Sequence, residues 1–370
     1  MRVICNRAAL LEALTVAASV VPSRTPKPVL QNLKLKAEDN VLTIEATDLE
    51  VSIRYRDVQV QVEDPGSTLV PADKFLSIVR ETQDDTISIS LEGNEAHIKG
   101  ADSFFKIFTQ NPAEFPELPT VEGEPDVELT ASVLKQLASQ TLFAAAREGT
   151  RYAFNGVLTT LDKQQLVMVA TDGRRLALSR GDVIQVFRDV KGAPFPKAII
   201  PARSVNLVDK LLSDLESNVS IKLTENQAVF TTTNAVLTTN LLEGQFPPYE
   251  DVIPKEADKR MIASTADLLS AVRRAALLTT DDTKGVRLDF SKEKGLILQS
   301  RSAEAGEARV DFACKFEGQP VSIGFNPTFM ADGLKVAHTD EVMFELTTPK
   351  APGLFKAGTS FLYVIMPVSL

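Results

Sequence analysis

The chain has 370 residues, of which 44% are hydrophobic and 24% are charged, and its formal net charge is -9. These values are typical of a globular protein with two or three domains and exclude a largely disordered chain. The acidic balance argues against a uniformly basic nucleic-acid-binding protein, although net charge does not say where the charges lie.

The first part of the chain, residues 1–21, is predicted to form a helix rather than a signal peptide. Glu12 interrupts its apolar run, and no cleavage-like site follows before Pro22. No run in the sequence is long enough to span a bilayer. Cys5 and Cys314 lie far apart, in apolar settings that resemble strands, with no motif spacing around either. We therefore expect two buried free thiols in a reducing cytoplasm.

Six helices are predicted, and they recur at nearly constant spacing. Asn6, Thr130 and Ser264 can cap the first, third and fifth helices, and a proline opens the other three. The predicted windows are 7–21, 71–81, 131–151, 201–214, 265–280 and 326–338. Alternating strand patterns such as residues 86–91 follow each helix. The repeating half-unit is thus one helix followed by several antiparallel strands, and two half-units make one domain of about 120 residues.

Charge differs between the predicted helices and the rest of the chain. The six helical windows contain eleven Lys or Arg against eight Asp or Glu, a balance of +3 that leaves -12 elsewhere. A solvated helix face can show a similar balance, but the sign is the one expected if the helices line an anionic partner.

A turn motif is repeated with the same period. Residues 170–179 read Ala-Thr-Asp-Gly-Arg-Arg-Leu-Ala-Leu-Ser, with a partial copy at 46–50 and a degraded copy at 296–302. On pattern alone Asp172-Gly173 favours a plain hairpin turn, which does not explain the two arginines that follow. Segments rich in proline and acid at 116–125 and 246–255 mark the joins between repeats.

No motif for catalysis is found. His97 and His338 lie in different repeats without nearby metal-ligand spacing, which argues against a metal site or a histidine-based triad. P-loop, dinucleotide and zinc-protease motifs are absent from the sequence. The Asp84-Asp85 and Asp281-Asp282 pairs fall in predicted loops or helix ends, where solvated carboxylates are common. The sequence therefore favours a protein that is not an enzyme.

The three repeats and several motifs together resemble the bacterial DNA polymerase III beta subunit, the sliding clamp family, over the whole chain. Besides the two Thr-Asp turns, the motifs are Val70-Pro-Ala-Asp-Lys-Phe, Arg151-Tyr-Ala-Phe-Asn-Gly, Gly285-Val-Arg-Leu, Ile323-Gly-Phe-Asn and the ending Tyr363-Val-Ile-Met-Pro-Val-Ser-Leu.

The resemblance implies an α+β fold of three tandem DNA-clamp domains, at 1–122, 126–254 and 258–370. Each domain has two helices backed by antiparallel sheets, and two chains form a head-to-tail homodimeric ring. The family is a non-catalytic processivity factor of DNA replication in the cytoplasm and needs no cofactor. Its partners are double-stranded DNA, held without sequence preference by topology, the DNA polymerase III catalytic subunit, the clamp loader, and other polymerases and repair proteins that carry clamp-binding peptides. No membrane contact is implied.

The resemblance also assigns residues to three sites. The partner-peptide cleft comprises Arg151, Phe154, Thr171, Gly173, Arg174, Arg175, Leu176, Pro247, Val252, Asn326, Phe329, Val364, Met366, Pro367, Val368 and Leu370. The arginines in this set are expected to meet the polar or acidic flank of a peptide. Arg24 and Arg147 are the expected DNA contacts. The dimer interface comprises Lys74, Phe105, Ile107, Leu277, Leu278, Glu304 and Glu307.

Four positions depart from the family pattern. Ser369 and Asp251 stand where basic residues are usual, Phe329 where tyrosine is common, and Glu148 where a neutral DNA-contacting side chain is often found. These departures bear on the charge of the cleft rim and on DNA contact.

Two other interpretations of the repeats remain. One is a purely structural scaffold, which would not retain DNA, and the other is a hydrolase, which would lose turnover when an acid pair is neutralised.

Overall fold

The computed structural model describes residues 1–57, 59–146, 152–187, 195–279 and 285–369, which form six α-helices and twenty-seven β-strands. The helices are α1 (Arg7–Ala18), α2 (Ala72–Glu81), α3 (Ala131–Leu142), α4 (Ala202–Leu211), α5 (Thr265–Ala276) and α6 (Pro327–Lys335). The strands are β1 (Arg2–Asn6), β2 (Asn32–Glu38), β3 (Val41–Thr47), β4 (Val51–Asp57), β5 (Val60–Asp64), β6 (Gly66–Pro71), β7 (Thr86–Glu92), β8 (Glu95–Lys99), β9 (Phe104–Phe108), β10 (Val127–Thr130), β11 (Gly156–Asp162), β12 (Gln165–Thr171), β13 (Arg175–Asp182), β14 (Gln185–Val186), β15 (Ala198–Pro201), β16 (Asn218–Leu223), β17 (Gln227–Thr231), β18 (Ala235–Asn240), β19 (Lys259–Ser264), β20 (Val286–Ser291), β21 (Gly295–Ser302), β22 (Gly306–Phe312), β23 (Lys315–Glu317), β24 (Val321–Phe325), β25 (Glu341–Leu346), β26 (Gly353–Ala357) and β27 (Phe361–Ile365).

All six predicted helices are present, and local capping explains where they begin. The Asn6 side chain accepts a hydrogen bond from the Ala9 N–H at 3.1 Å, and the Ser264 hydroxyl accepts one from the Asp267 N–H at 3.3 Å. These bonds satisfy N–H groups that have no partner inside the helix. Helix α3 ends at Leu142, well before the predicted end at 151. Within the described residues, no helix is both long and apolar enough to cross a membrane.

The chain divides into two compact units. Unit 1 comprises Met1–Leu134, Val183–Ala193 and Arg203–Leu241. It contains a five-stranded sheet in the order β5-β1-β7-β8-β9 and a nine-stranded sheet in the order β14-β10-β16-β17-β18-β4-β3-β2-β6. Helix α1 packs against α2 and against β3 and β4.

Unit 2 comprises Lys135–Asp182, Pro194–Ala202 and Leu242–Leu370. Its nine-stranded sheet has the order β15-β11-β12-β13-β27-β26-β25-β19-β23, and its four-stranded sheet has the order β22-β21-β20-β24. Helix α5 packs against α6 and against β21 and β22. In both units the paired strands run antiparallel, as the alternating patterns predict.

The predicted middle repeat contributes strands to both units. In unit 1 its strand β18 pairs with β4 of the first repeat, and in unit 2 its strand β13 pairs with β27 of the third. The sheets therefore continue from one repeat into the next.

Both cysteines are free thiols. Cys5 is buried in β1, as predicted, but Cys314 is only half-buried and lies between β22 and β23 rather than in a strand. Burial raises the pKa of the Cys314 thiol to about 11, so this side chain is not a ready nucleophile.

Candidate functional site

The turn between β12 and β13, residues 171–175, is the predicted hairpin turn, and we call it the cleft turn. The Thr171 hydroxyl donates a hydrogen bond to the Arg175 carbonyl at 2.7 Å and accepts one from the Gly173 N–H at 3.1 Å. Asp172 Oδ1 accepts from the N–H groups of Arg174 and Arg175 at 2.9 and 3.0 Å. Gly173 has a φ of 84°, a conformation that glycine adopts without steric cost. The Thr and Asp side chains therefore fix the backbone of this turn.

The last strand of the chain lies beside the cleft turn. Strand β27 pairs with β13 so that Val364 lies opposite Leu176. The ladder continues past the strand, because the Met366 N–H donates to the Arg174 carbonyl at 2.9 Å. Met366 is thus held at the turn by its backbone, while 41% of its surface stays exposed.

A cavity of about 140 Å³ opens between the cleft turn, the end of β27 and the segment after β18. Its lining is mainly apolar and aromatic, with one cation. The lining residues are Phe154, Thr171, Gly173, Arg175, Leu176, Pro247, Pro248, Tyr249, Val252, Val364 and Met366. All of them belong to unit 2. A concave apolar surface with a few polar groups is the usual form of a binding site.

The floor of this cleft is continuous with the core of unit 2. Leu176, Val364 and Tyr249 pack in a buried cluster with Leu158 and Leu354. Burial, together with nearby Glu250, raises the pKa of Tyr249 to about 12, so its hydroxyl is neutral at physiological pH. A wall fixed in this way lets a ligand bind without ordering the protein first, which favours affinity.

Arg175 is held by contacts within unit 2. Its guanidinium donates to Asp172 at 3.1 Å, to Asp332 at 2.9 Å and to the Phe143 carbonyl at 2.7 Å. It also lies 4.4 Å from the ring centroid of Phe329, within cation–π range. Burial by itself lowers the pKa of Arg175, but the surrounding hydroxyl and carboxylate groups outweigh it and raise the pKa. The side chain therefore braces the cleft turn and also lines the cavity.

The structure brings together nine of the residues predicted for the cleft, and it adds Pro248 and Tyr249. The sequence analysis assigned that segment to the join between two repeats. Its Pro-Pro-Tyr sequence, at 247–249, is the feature that could have indicated a rigid wall of the cleft. Five predicted residues do not line the cavity: Arg174, Asn326, Phe329, Pro367 and Val368. Of these, Arg174 is exposed, Asn326 caps α6 and Phe329 packs on Arg175. Arg151 and Leu370 lie outside the described residues.

The remaining predicted residues lie on exposed parts of each unit. In unit 1, Arg24 and Lys74 are exposed, and Phe105 and Ile107 lie on the edge strand β9. In unit 2, Leu277 is 76% exposed just after α5, and Leu278 follows it. Glu304 precedes the edge strand β22, and Glu307 lies on it and pairs with Arg301 at 3.0 Å. Arg147 and Glu148 lie outside the described residues.

Three family models match the chain in succession. The model for the DNA polymerase III beta subunit N-terminal domain matches residues 1–119, the central-domain model matches 128–248, and the C-terminal-domain model matches 250–369.

Curated relatives and solved structures match over the full length. The beta sliding clamp of Vibrio cholerae is 32% identical over 375 residues, with 100% of both chains covered, and that of Escherichia coli K12 is 30% identical over 373 residues, also with full coverage. The crystal structure of the DNA polymerase III subunit beta from Pseudomonas aeruginosa has a TM-score of 0.90 at 31% identity, covering 100% of both chains. The DNA polymerase sliding clamp from Bacillus subtilis has a TM-score of 0.92 at 27% identity, covering 100% of this chain and 99% of the other.

Proposed function

Because this chain belongs to the DNA polymerase III beta subunit family and is a non-catalytic sliding clamp, we propose that two copies join head to tail in a ring around duplex DNA. The ring holds DNA by enclosing it and tethers the replicative polymerase in the cytoplasm. Three clamp domains at 1–122, 126–254 and 258–370 make up each chain, and the division into three is supported by the family models, which match 1–119, 128–248 and 250–369.

The observation that carries the proposed dimer is a pairing pattern that the repeats share. The strand after the turn of the first repeat, β4, pairs with the last strand of the second repeat, β18. The corresponding strand of the second repeat, β13, pairs with the last strand of the third, β27. The corresponding strand of the third repeat, β22, is an edge strand of its sheet. The last strand of the first repeat, β9, is also an edge strand. The same pattern would be completed if β22 of one copy paired with β9 of another.

The side chains on these edges support that pairing. On β9, Phe104, Phe105 and Phe108 are 51%, 37% and 77% exposed. Large apolar side chains on an unpaired strand edge are an aggregation hazard unless another chain covers them. Joining β9 to β22 of a partner covers the aromatic side chains and leaves no free edge at the join. Because the two edges differ, the contact is heterologous, and a ring of two requires that it occur twice.

The charge of the helices supports the DNA contact. Within the bounds of α1 to α6 there are nine Lys or Arg and six Asp or Glu, so the helices carry +3 while the whole chain carries -9. The remaining residues therefore carry -12. Weak positive charge suits a protein that slides, since each firm phosphate contact adds affinity and salt dependence. We assign Arg24, which is exposed in unit 1, to this weak contact.

We assign the apolar cleft of unit 2 to the clamp-binding peptides of partner proteins: the polymerase catalytic subunit, the clamp loader, other polymerases and repair proteins. A few apolar anchors supply most of the affinity of small interfaces, and methionine adapts to anchors of different shape. Each apolar anchor contributes roughly 1.5–3 kcal/mol before ordering costs, which suits exchangeable micromolar binding.

The proposal that the ring encloses DNA is tested by comparing retention on circular DNA with retention after the circle is cut. Protein loaded by a clamp loader on nicked circular DNA should remain bound through gel filtration and leave after the circle is cut once. A mock digestion of the same complex is the control. Equal retention on linear and circular DNA would indicate ordinary binding and contradict enclosure. Arg24→Ala should lower direct DNA affinity modestly and reduce the salt slope by about one, the change expected for one lost phosphate contact.

A further inference from the structure

A second turn in the chain, residues 47–51, repeats the hydrogen bonds of the cleft turn, and we call it the upstream turn. The Thr47 hydroxyl donates to the Val51 carbonyl at 2.9 Å and accepts from the Leu49 N–H at 3.0 Å. Asp48 Oδ1 accepts from the N–H groups of Glu50 and Val51 at 3.0 and 2.7 Å. Leu49 has a φ of 79°, close to the 84° of the glycine at the same place in the cleft turn. The two turns therefore share one backbone geometry.

The neighbouring strand is repeated as well. Strand β18 lies beside β4 as β27 lies beside β13. The Asn240 N–H donates to the Glu50 carbonyl at 2.9 Å, and this bond matches the one of 2.9 Å from Met366 to Arg174. Asn240 thus occupies the position of Met366, and Glu50 occupies that of Arg174.

The upstream turn also borders a cavity, with a volume of about 100 Å³. As in the cleft, a proline-containing segment closes one side, here with Pro116, Glu117 and Pro119. Thr238 and Gln227 also line the cavity. All of these residues belong to unit 1, and we call this cavity the upstream groove.

The chemistry of the upstream groove is opposite to that of the cleft. Ser52 lies opposite Thr238 in the ladder, at the places held by Leu176 and Val364 in the cleft. Asn240 lies at the position that corresponds to Met366 of the cleft. The hydroxyls of Ser52 and Thr238 and the amide of Asn240 therefore lie where the cleft has three apolar side chains. An apolar side chain of a peptide that fits the cleft has no apolar pocket in the upstream groove.

The groove also carries unpaired negative charge. Glu50 and Glu117 both line it, and neither carboxylate makes a hydrogen bond or an ion pair with any other residue that the structure describes. Gln227, which lines the groove, donates to Asn240 Oδ1 at 3.1 Å, and its own side-chain carbonyl oxygen is a further acceptor. These groups are acceptors for the ammonium or guanidinium of a basic side chain.

We propose that the upstream groove is a second peptide-binding site, which takes an extended polypeptide segment carrying a lysine or arginine among small polar residues. The basic side chain lies between Glu50 and Glu117, and the neighbouring polar side chains bond to Gln227 and Asn240. Leu49 supports the proposal, because a leucine at a position that favours glycine is strained, and such residues cluster at functional positions. Its side chain is 48% exposed and supplies an apolar wall for the stem of the basic residue.

The test uses the full-length protein and a photoreactive hexapeptide pool. One position of the peptide is lysine, and serine, threonine, asparagine, glutamine or glycine fill the others. A matched pool has norleucine, which keeps the stem without the charge. Saturable labelling of residues 47–52 or 116–119 by the lysine pool, mapped by mass spectrometry, is the expected result. Labelling by the norleucine pool should be weaker by between about two- and thirtyfold, the range that two exposed ion pairs provide.

Variants separate this site from the cleft. Glu50→Gln with Glu117→Gln should weaken labelling to the same extent, and Asn240→Trp should block it by filling the groove entrance. Met366→Ala, in the cleft, should leave it unchanged. Thermal melting of each variant confirms folding, which is expected because the three altered groove residues are exposed. Absence of saturable labelling in the unaltered protein, or equal labelling in the double variant, would overturn the proposal, and neither outcome bears on DNA enclosure.

Discussion

Two exposed side chains of the cleft, Met366 and Val252, allow its binding energy to be measured without disturbing the core. Met366 is 41% exposed and Val252 is 48% exposed, so truncating either one creates no buried cavity. A bound peptide that covers them gains free energy in proportion to the apolar surface that it removes from water. We therefore expect Met366→Ala and Val252→Ala to weaken peptide binding while the free energy of unfolding stays nearly the same.

The size of the effect follows from those exposures. Complete burial of such a side chain is worth roughly 1.5–3 kcal/mol. Scaled by the exposed fractions, covering Met366 contributes about 0.6–1.2 kcal/mol and covering Val252 about 0.7–1.4 kcal/mol. Since 1.4 kcal/mol is tenfold in affinity, we expect losses of about three- to sevenfold and about three- to tenfold, and about eight- to seventyfold for the double variant.

The assay is fluorescence anisotropy with a labelled peptide that carries leucine and phenylalanine near its end. Leu215→Ala is the matched control, because Leu215 is 42% exposed in unit 1 and does not line the cleft. An unchanged dissociation constant in the double variant, with the control also unchanged, would show that the peptide binds elsewhere. A loss greater than about a hundredfold would show that exposed area alone does not account for the binding energy.

Three further perturbations test the assembly, the end of the chain and the response to acid. Leu278→Asp should yield monomers in sedimentation equilibrium, because it places a charge in the proposed apolar join, and an intact dimer would contradict that join. Deleting residues 366–370 should abolish peptide binding, since the deletion removes one wall of the cleft, while leaving the melting temperature and the dimer largely intact. Undiminished peptide affinity in the truncated protein would place the binding site elsewhere. Burial raises the pKa of Glu345, but its bonds to Lys356 and Arg260 outweigh burial and hold the pKa below its ordinary value of 4.5. Stability from Glu345 is therefore present above that value and lost as pH falls through the folded-state pKa, so Glu345→Gln should reduce the free energy of unfolding at neutral pH by roughly 1–3 kcal/mol and flatten its acid dependence. Equal pH dependence in that variant, measured by urea unfolding, would refute the assignment.

Local signals were enough to predict the helices and the cleft turn. Asn6 and Ser264 cap helices because their side chains satisfy N–H groups within three residues, and such contacts are visible in the sequence. Asp172 and Gly173 indicate a hairpin for the same reason, since the turn is held by its own side chains. Helix starts and turns that depend on residues close in sequence could therefore be predicted without the structure.

Features that depend on distant contacts could not be predicted from pattern. Helix α3 ends early, where the Phe143 carbonyl accepts a bond from the guanidinium of Arg175, 32 residues further along the chain. Pairing of β18 with β4 and of β13 with β27 joins strands of different repeats, and alternation does not encode which strands become neighbours. Tyr249 enters the cleft wall by the same kind of distant packing.

The two Thr-Asp turns place different side chains on one backbone geometry. In each turn the threonine and the aspartate bond to the backbone of the turn, whereas the side chains at the third and fourth positions make no hydrogen bond or ion pair with any residue that the structure describes. Those positions are Leu49 and Glu50 in one turn and Gly173 and Arg174 in the other. Replacing them changes the charge and the apolar surface at the mouth of each cavity without altering the fold. In the two sites that we propose, specificity is therefore set by residues that the turn does not need. The turn pattern identifies both places, and the neighbouring side chains differ in what they offer a ligand.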